Sequence, residues 1–119
     1  MTAKSIIECA DNIRPNIISN STKLEWLYTI EKQVCSHMSR YGETDAKIEE
    51  ITSDTKLILP LEYKDIYVYY IVCMIDLANQ DVAMYNNSCA YFNELFVSWQ
   101  KKWRRENVPQ KKTKKSGDV

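Results

Sequence analysis

Residues 63–80 read YKDIYVYYIVCMIDLANQ, and the fold turns on whether this stretch is a strand or a helix. Ile, Val and Tyr favour strands, and Ile66 to Ile75 are ten successive apolar residues, as in a buried strand. Length decides against that. Eighteen residues run from Glu62 to Asn79 without a Gly or Pro, more than a typical strand holds. Ile66, Tyr69, Tyr70, Cys73 and Leu77 also fall at helical spacing. The spacing predicts a central helix, apolar on most sides and so buried on most sides, with Asp76 as its polar exception.

Downstream, Asn79-Gln80-Asp81 makes a break, and a long helix is expected from about Val82 to Arg105. Val82, Tyr85, Cys89, Phe92, Phe96, Trp99 and Trp103 alternate steps of three and four, the spacing of a helix–helix seam. Trp99 and Trp103, near the charged end, are the candidates for contact with a neighbouring subunit. Upstream, Ala3, Ile6, Ile7, Ala10 and Ile13 share one helical face, and Pro15 ends that helix. Thr22-Lys23-Leu24-Glu25 has the form of a capping box with Thr22 as N-cap. The second helix then points Leu24, Leu27, Tyr28, Val34, Cys35 and Met38 inward, interrupted by Glu31, and fades near Tyr41-Gly42. Residues 42–56 read as an exposed loop, with room for one helical turn and anchored by Ile48 and Ile51. The fold expected is all-α: a four-helix bundle-like domain over residues 1–109, with a long C-terminal helix and a basic disordered tail over 110–119.

Two glycines and three prolines are too few for a turn-rich all-β sandwich. The net charge of zero conceals an asymmetry. Residues 1–100 hold eight Lys/Arg against fourteen Asp/Glu, a net of −6; residues 101–119 hold eight against two, a net of +6. The helical basic run from Lys101 to Arg105 complements the dipole of the last helix. Lys111, Lys112, Lys114 and Lys115 lie beyond Pro109 and suit either a solvated end or an anionic partner such as nucleic acid.

The four cysteines form no CxxC pair, so no structural zinc site is expected; at apolar positions of four helices they read as reduced core thiols. The opening MTAKSIIECADNI has no long apolar run of a secretory signal, and no segment approaches the roughly 20 apolar residues of a membrane span. The single histidine, His37, stands two positions after Cys35, roughly 200° around a helix, which prevents a local Cys–His dyad. It reads as a surface or half-buried residue. No dinucleotide-binding, P-loop or zinc-protease motif occurs, so no catalytic residue, cofactor or metal site is expected. Asp76 is expected to meet the level of Asn86 and Asn87 across the Asn79–Asp81 turn, forming with Asn93 a polar network that fixes the pairing of the last two helices.

Certain of these residues carry a resemblance. Arg14-Pro15-Asn16, Lys23-Leu24-Glu25-Trp26-Leu27, Pro60 with Tyr63 and Asp65, Tyr69-Tyr70, Ile75-Asp76 and Tyr85-Asn86-Asn87 together span residues 1 to about 109. In that combination the chain resembles small proteins of the structural-gene clusters of Firmicutes tailed phages and prophages, and among these the head–tail connector (adaptor) family. The lysine-rich tail is not part of that pattern, and Glu62 stands where the pattern has a small or proline-like residue. The resemblance implies a helical, non-enzymatic virion subunit that forms a homo-oligomeric ring beneath the portal and extends the DNA channel. Portal and tail-completion proteins would be its partners, with nonspecific DNA contact through the tail. It would occupy the host cytoplasm during assembly and then the head–tail junction. The alternative is a small helical DNA-binding or regulatory protein using the basic C-terminal end. Against it stands the acidic body and a basic end that surrounds Trp103 rather than presenting base-reading side chains.

Overall fold

The computed structural model describes residues 1–42 and 47–107. Within them the chain is all-α, with four helices: α1 (Ala3–Ile13), α2 (Asn20–Tyr41), α3 (Lys64–Ala78) and α4 (Val82–Asn107). A single 3-10 turn, Leu61–Tyr63, leads into α3. The expected tail, residues 110–119, lies outside the described residues.

The ambiguous stretch is a helix, and it is the centre of the domain. Ile66, Tyr67, Val68, Ile71, Val72, Cys73, Ile75 and Asp76 of α3 are all buried. It packs most extensively on α4 and also meets α1 and α2. Burial on this scale, at roughly 1.5–3 kcal/mol for each large apolar side chain, outweighs the strand preference of Ile, Val and Tyr.

The other helices follow their patterns in outline, but Ile13, expected on the inward face of α1, is exposed, and α2 starts elsewhere than expected. α1 begins with a reciprocal cap: Thr2 Oγ1 accepts from the Ser5 amide at 3.2 Å, and Ser5 Oγ accepts from the Thr2 amide at 3.2 Å. It buries Ala3, Ile6, Ile7 and Ala10, and ends at Arg14 just before Pro15. α2 starts earlier than expected. Its N-cap is Ser19, whose hydroxyl accepts from the Thr22 amide at 3.3 Å, so Thr22 lies inside the first turn and Glu25 is solvent-facing. The reason is local: Asn16 Oδ1 accepts from the Ile18 amide at 2.9 Å, turning the chain early, and Ser caps as well as Thr.

The segment before α3 is irregular and anchored by Ile51, as expected. Residues 47–60 contain no helical turn; they form a strap across the start of α1. Thr55 and Ser53 carbonyls accept from the Ala3 and Lys4 amides at 2.9 and 3.0 Å, and the Leu57 amide donates to the Met1 carbonyl at 3.1 Å. These bonds satisfy amides that a helix N-terminus cannot satisfy itself. Ile51, Leu57 and Leu59 are buried beneath the strap, so it is less exposed than its polarity suggests.

α3 ends in a two-bond cap. The Asp81 amide donates to the Asp76 carbonyl and the Gln80 amide to the Leu77 carbonyl, both at 3.0 Å. Gln80, at φ 59°, occupies the left-handed position that glycine usually fills. Asp81 then caps α4, its Oδ1 accepting from the Met84 amide at 3.1 Å. The α4 seam is a packing stripe: Phe92, Phe96 and Trp99 are buried, Tyr85, Cys89 and Trp103 half-buried. Phe92, Phe96 and Trp99 stack in sequence at 5.4 and 5.7 Å between ring centres. Val82, at the end of the stripe, is exposed.

Candidate functional site: polar ties between the helices

The buried polar groups fall into three ties. The first is at Asp76, whose side chain is 2% exposed. Arg14, at the end of α1, donates from Nε to Oδ1 at 2.6 Å and from Nη2 to Oδ2 at 3.3 Å. Ser88 on α4 donates to Oδ2 at 2.8 Å. One carboxylate thereby joins three helices. The asparagines expected there are elsewhere. Asn86 and Asn87 are exposed, and exposed Asn93 reaches only Cys89 Sγ, at 3.7 Å. The register explains it: Ser88 faces α3, and at about 100° per residue Asn87 and Asn86 rotate away from that face. Beside this tie, Lys23, only 2% exposed, donates to Asp11 at 2.8 Å, and Asn16 Nδ2 donates to the same oxygen at 2.9 Å. This joins α1, the connector and α2.

The second tie is the interruption in α2. Glu31 is buried; it accepts from the Ile58 amide at 2.7 Å and from the Tyr67 hydroxyl at 2.5 Å. Tyr67 in turn accepts from the Leu59 amide at 3.1 Å. Two backbone amides of the strap are thus held by a carboxylate on α2 and a phenol on α3. Burial raises the Glu31 pKa above the usual carboxylate value, opposed by the bonds from Tyr67 and Ile58. Tyr67 is pushed well above an ordinary phenol, first by burial and then by the neighbouring Glu31 charge.

The third tie is at the far end of α4. His37 is buried, contrary to the expectation of a surface or half-buried residue. Its Nε2 donates to the Gln100 carbonyl at 2.9 Å, and its ring lies between Tyr41 and Trp99 at 4.9 and 5.2 Å. Trp99 is 4% exposed, so its surface is committed to its own chain rather than to a neighbour. Trp103 is half-buried, and its indole N–H is buried without an acceptor among the described residues. Around it Lys102 stands over the Tyr63 ring at 5.9 Å and Arg104 over Tyr41 at 5.6 Å. Lys111, Lys112, Lys114 and Lys115 lie outside the described residues.

All four cysteines are free, Cys35 and Cys73 buried, Cys9 and Cys89 half-buried. Burial, helped by Cys89, pushes the Cys73 thiol up to about 12, so it stays protonated at neutral pH. Among the described residues no group of His, Cys, Asp and Glu is arranged to hold a metal ion, and no helix is long and apolar enough to cross a membrane.

Sequence reasoning singled out Asp76 but not its partners. Arg14 is 62 positions away, and no spacing rule links them. Ser88 was legible in retrospect, one step before Cys89 on the seam. No protein-family model matches this chain, and no curated protein or solved structure resembles it at a significant level.

Proposed function

We propose that this chain is a non-enzymatic structural subunit, a head–tail connector of the kind its sequence resembles, which assembles side by side into a ring beneath a portal. The observation that carries the reading is the placement of the motif residues. Of the residues that bear the resemblance, Arg14, Lys23 and Asp76 lie in bonds that fix one helix against another, and Asn16 ties the connector to the same Asp11 carboxylate. Motif residues committed to helix–helix bonds suit a protein whose product is a shape. The outward face of α4, where Ala83, Asn87, Ala90, Glu94, Val97 and Lys101 are exposed, supplies a helix surface along which a neighbouring copy can pack. A ring uses heterologous contacts, one face of each copy against a different face of the next.

The test is solution mass by light scattering over a range of concentrations, with and without a candidate portal protein. A ring-sized species, alone or on the portal, is expected. A monomer or dimer that ignores the portal at every concentration would sink the assignment. Attention would then pass to the DNA-binding reading, for which the cations at the end of α4 are the supporting observation. Lys102 and Arg104 stand over tyrosine rings of their own chain, which leaves them poorly disposed to read bases.

A further inference from the structure

One concavity opens beside the start of α2. It is a groove of about 500 Å³ between the N-terminal half of α2 and the strap. Leu24, Tyr28 and Ile51 supply its apolar surface, and exposed Glu25, Glu49 and Glu50 its charge. None of the three glutamates pairs with a cation among the described residues. Of the cations on α2 beside it, Lys23 is turned inward onto Asp11, and Lys32 is held over the Tyr28 ring at 5.6 Å rather than against a carboxylate. An open apolar trough bordered by three unpaired carboxylates fits an extended basic peptide with some apolar character.

The chain itself contains such a peptide. Residues 108–119 read VPQKKTKKSGDV, four lysines against one aspartate behind a Val-Pro pair, attached to an acidic body. We infer that the groove receives this C-terminal segment from a second copy of the chain. Reach decides between copies. α4 ends beside the end of α2, where a Cβ placed on Gly42 would lie 3.3 Å from Asn107 Cβ. From Gly42 back to Glu25 is about 26 Å along the helix at about 1.5 Å per residue. Fully extended chain carries Lys111 about 14 Å from Asn107 and Lys115 about 28 Å. Within one copy the backbone comes level with Glu25 only near Lys114 and Lys115, fully stretched, so Lys111 and Lys112 fall short along the groove; from a neighbour all four lysines can lie in it together. The contact is head-to-tail, so it propagates into a ring or a filament and cannot close as a two-fold dimer. It rests on the assembly reading above and specifies one contact that would hold the copies together.

The test uses a labelled peptide of residues 108–119 and the full chain in which Lys111, Lys112, Lys114 and Lys115 are replaced by Gln, so that its own tail does not compete. Fluorescence anisotropy is expected to show saturable binding. It should weaken on the order of tenfold when Glu25→Gln, Glu49→Gln and Glu50→Gln are combined, and comparably between about 50 and 500 mM salt. No binding, or binding indifferent to the three glutamates, overturns the inference. So does tail-dependent capture of duplex DNA by the wild-type chain when the peptide ignores the groove. Light scattering of the four-Gln chain with the portal separates the two readings. A ring-sized species that persists without tail charge leaves the assembly reading standing and removes the tail contact. A wild-type chain whose groove takes the peptide but which stays monomeric with the portal at every concentration removes the assembly reading and, with it, delivery of the tail from a second copy.

Discussion

Two carboxylates are buried among the described residues, and they are held differently. Asp76 has a cation: Arg14 approaches from α1, with Ser88 completing the shell. Glu31 has none; its partners are a phenol and a backbone amide. The first tie fixes helices to one another. The second fixes an irregular segment, the strap, to two helices. A partly exposed guanidinium can bridge helix ends where water is near, whereas an extended segment presents amides that need an acceptor inside. The cost of the second solution is a carboxylate whose ionised form is disfavoured by burial.

The largest effect should come from Arg14→Met, which strands a buried carboxylate and is expected to cost about 3–5 kcal/mol in urea unfolding. Asp76→Asn should cost less, about 1–2 kcal/mol, because Arg14, 26% exposed, can turn to water. Equal losses would break the distinction between a carboxylate that needs its cation and a cation that merely serves it. Tyr67→Phe comes next. It removes a donor from Glu31 and the acceptor of the Leu59 amide, for a loss of about 2–3 kcal/mol. Hydrogen exchange should locate that loss in the strap as faster exchange at Ile58 and Leu59; loss spread evenly over the helices would contradict a local clamp.

The pH dependence sharpens the contrast. Because the folded pKa of Glu31 is raised, the folded state holds its proton at pH values where the unfolded chain has released it. Its contribution to stability is therefore fully present below the ordinary carboxylate pKa and is lost as pH rises through the folded value. Urea midpoints from acid to neutral pH should show this falling limb in the wild type and a flatter one in Glu31→Gln. Parallel curves would mean that Glu31 titrates as an ordinary surface acid. The smallest effect concerns the backbone beside Asp76. Gln80→Gly, relieving a left-handed non-glycine residue, should raise stability by about 0.5–1 kcal/mol in the same assay.

Periodicity told which residues turn inward for Ile6 to Ala10 and for the Phe92–Trp99 stripe; in α3 only Ile66 and Cys73 of the spaced set are buried and Leu77 is exposed, because a helix covered on most sides has no single inward stripe. Periodicity does not tell what an inward polar residue meets. Lys23, Glu31 and His37 all point inward, yet their partners Asp11, Tyr67 and Gln100 lie on other elements at separations set by topology. The N-cap of α2 was misplaced because Ser19 and Thr22 are chemically equivalent caps, and the deciding bond comes from Asn16. The strap is the loop its polar residues suggest, with Ile51 as the expected anchor; what its sequence does not tell is that its carbonyls receive the first amides of α1. Of the candidate site, Asp76 was visible as an anomaly; the asparagines drew notice only by proximity in sequence.

The bonds between the strap and the first turn of α1 bear on the order in which the domain is built. α1 has 11 residues, too few for a helix to persist alone in water. The carbonyls that receive its first amides belong to Ser53 and Thr55, which a ribosome adds about fifty residues later, or ~3–10 s at ordinary rates of synthesis. Nor can Arg14 find Asp76 before the whole of α3 has emerged. Of the four helices the first made is thus among the last to become secure, and the domain closes from its middle outward.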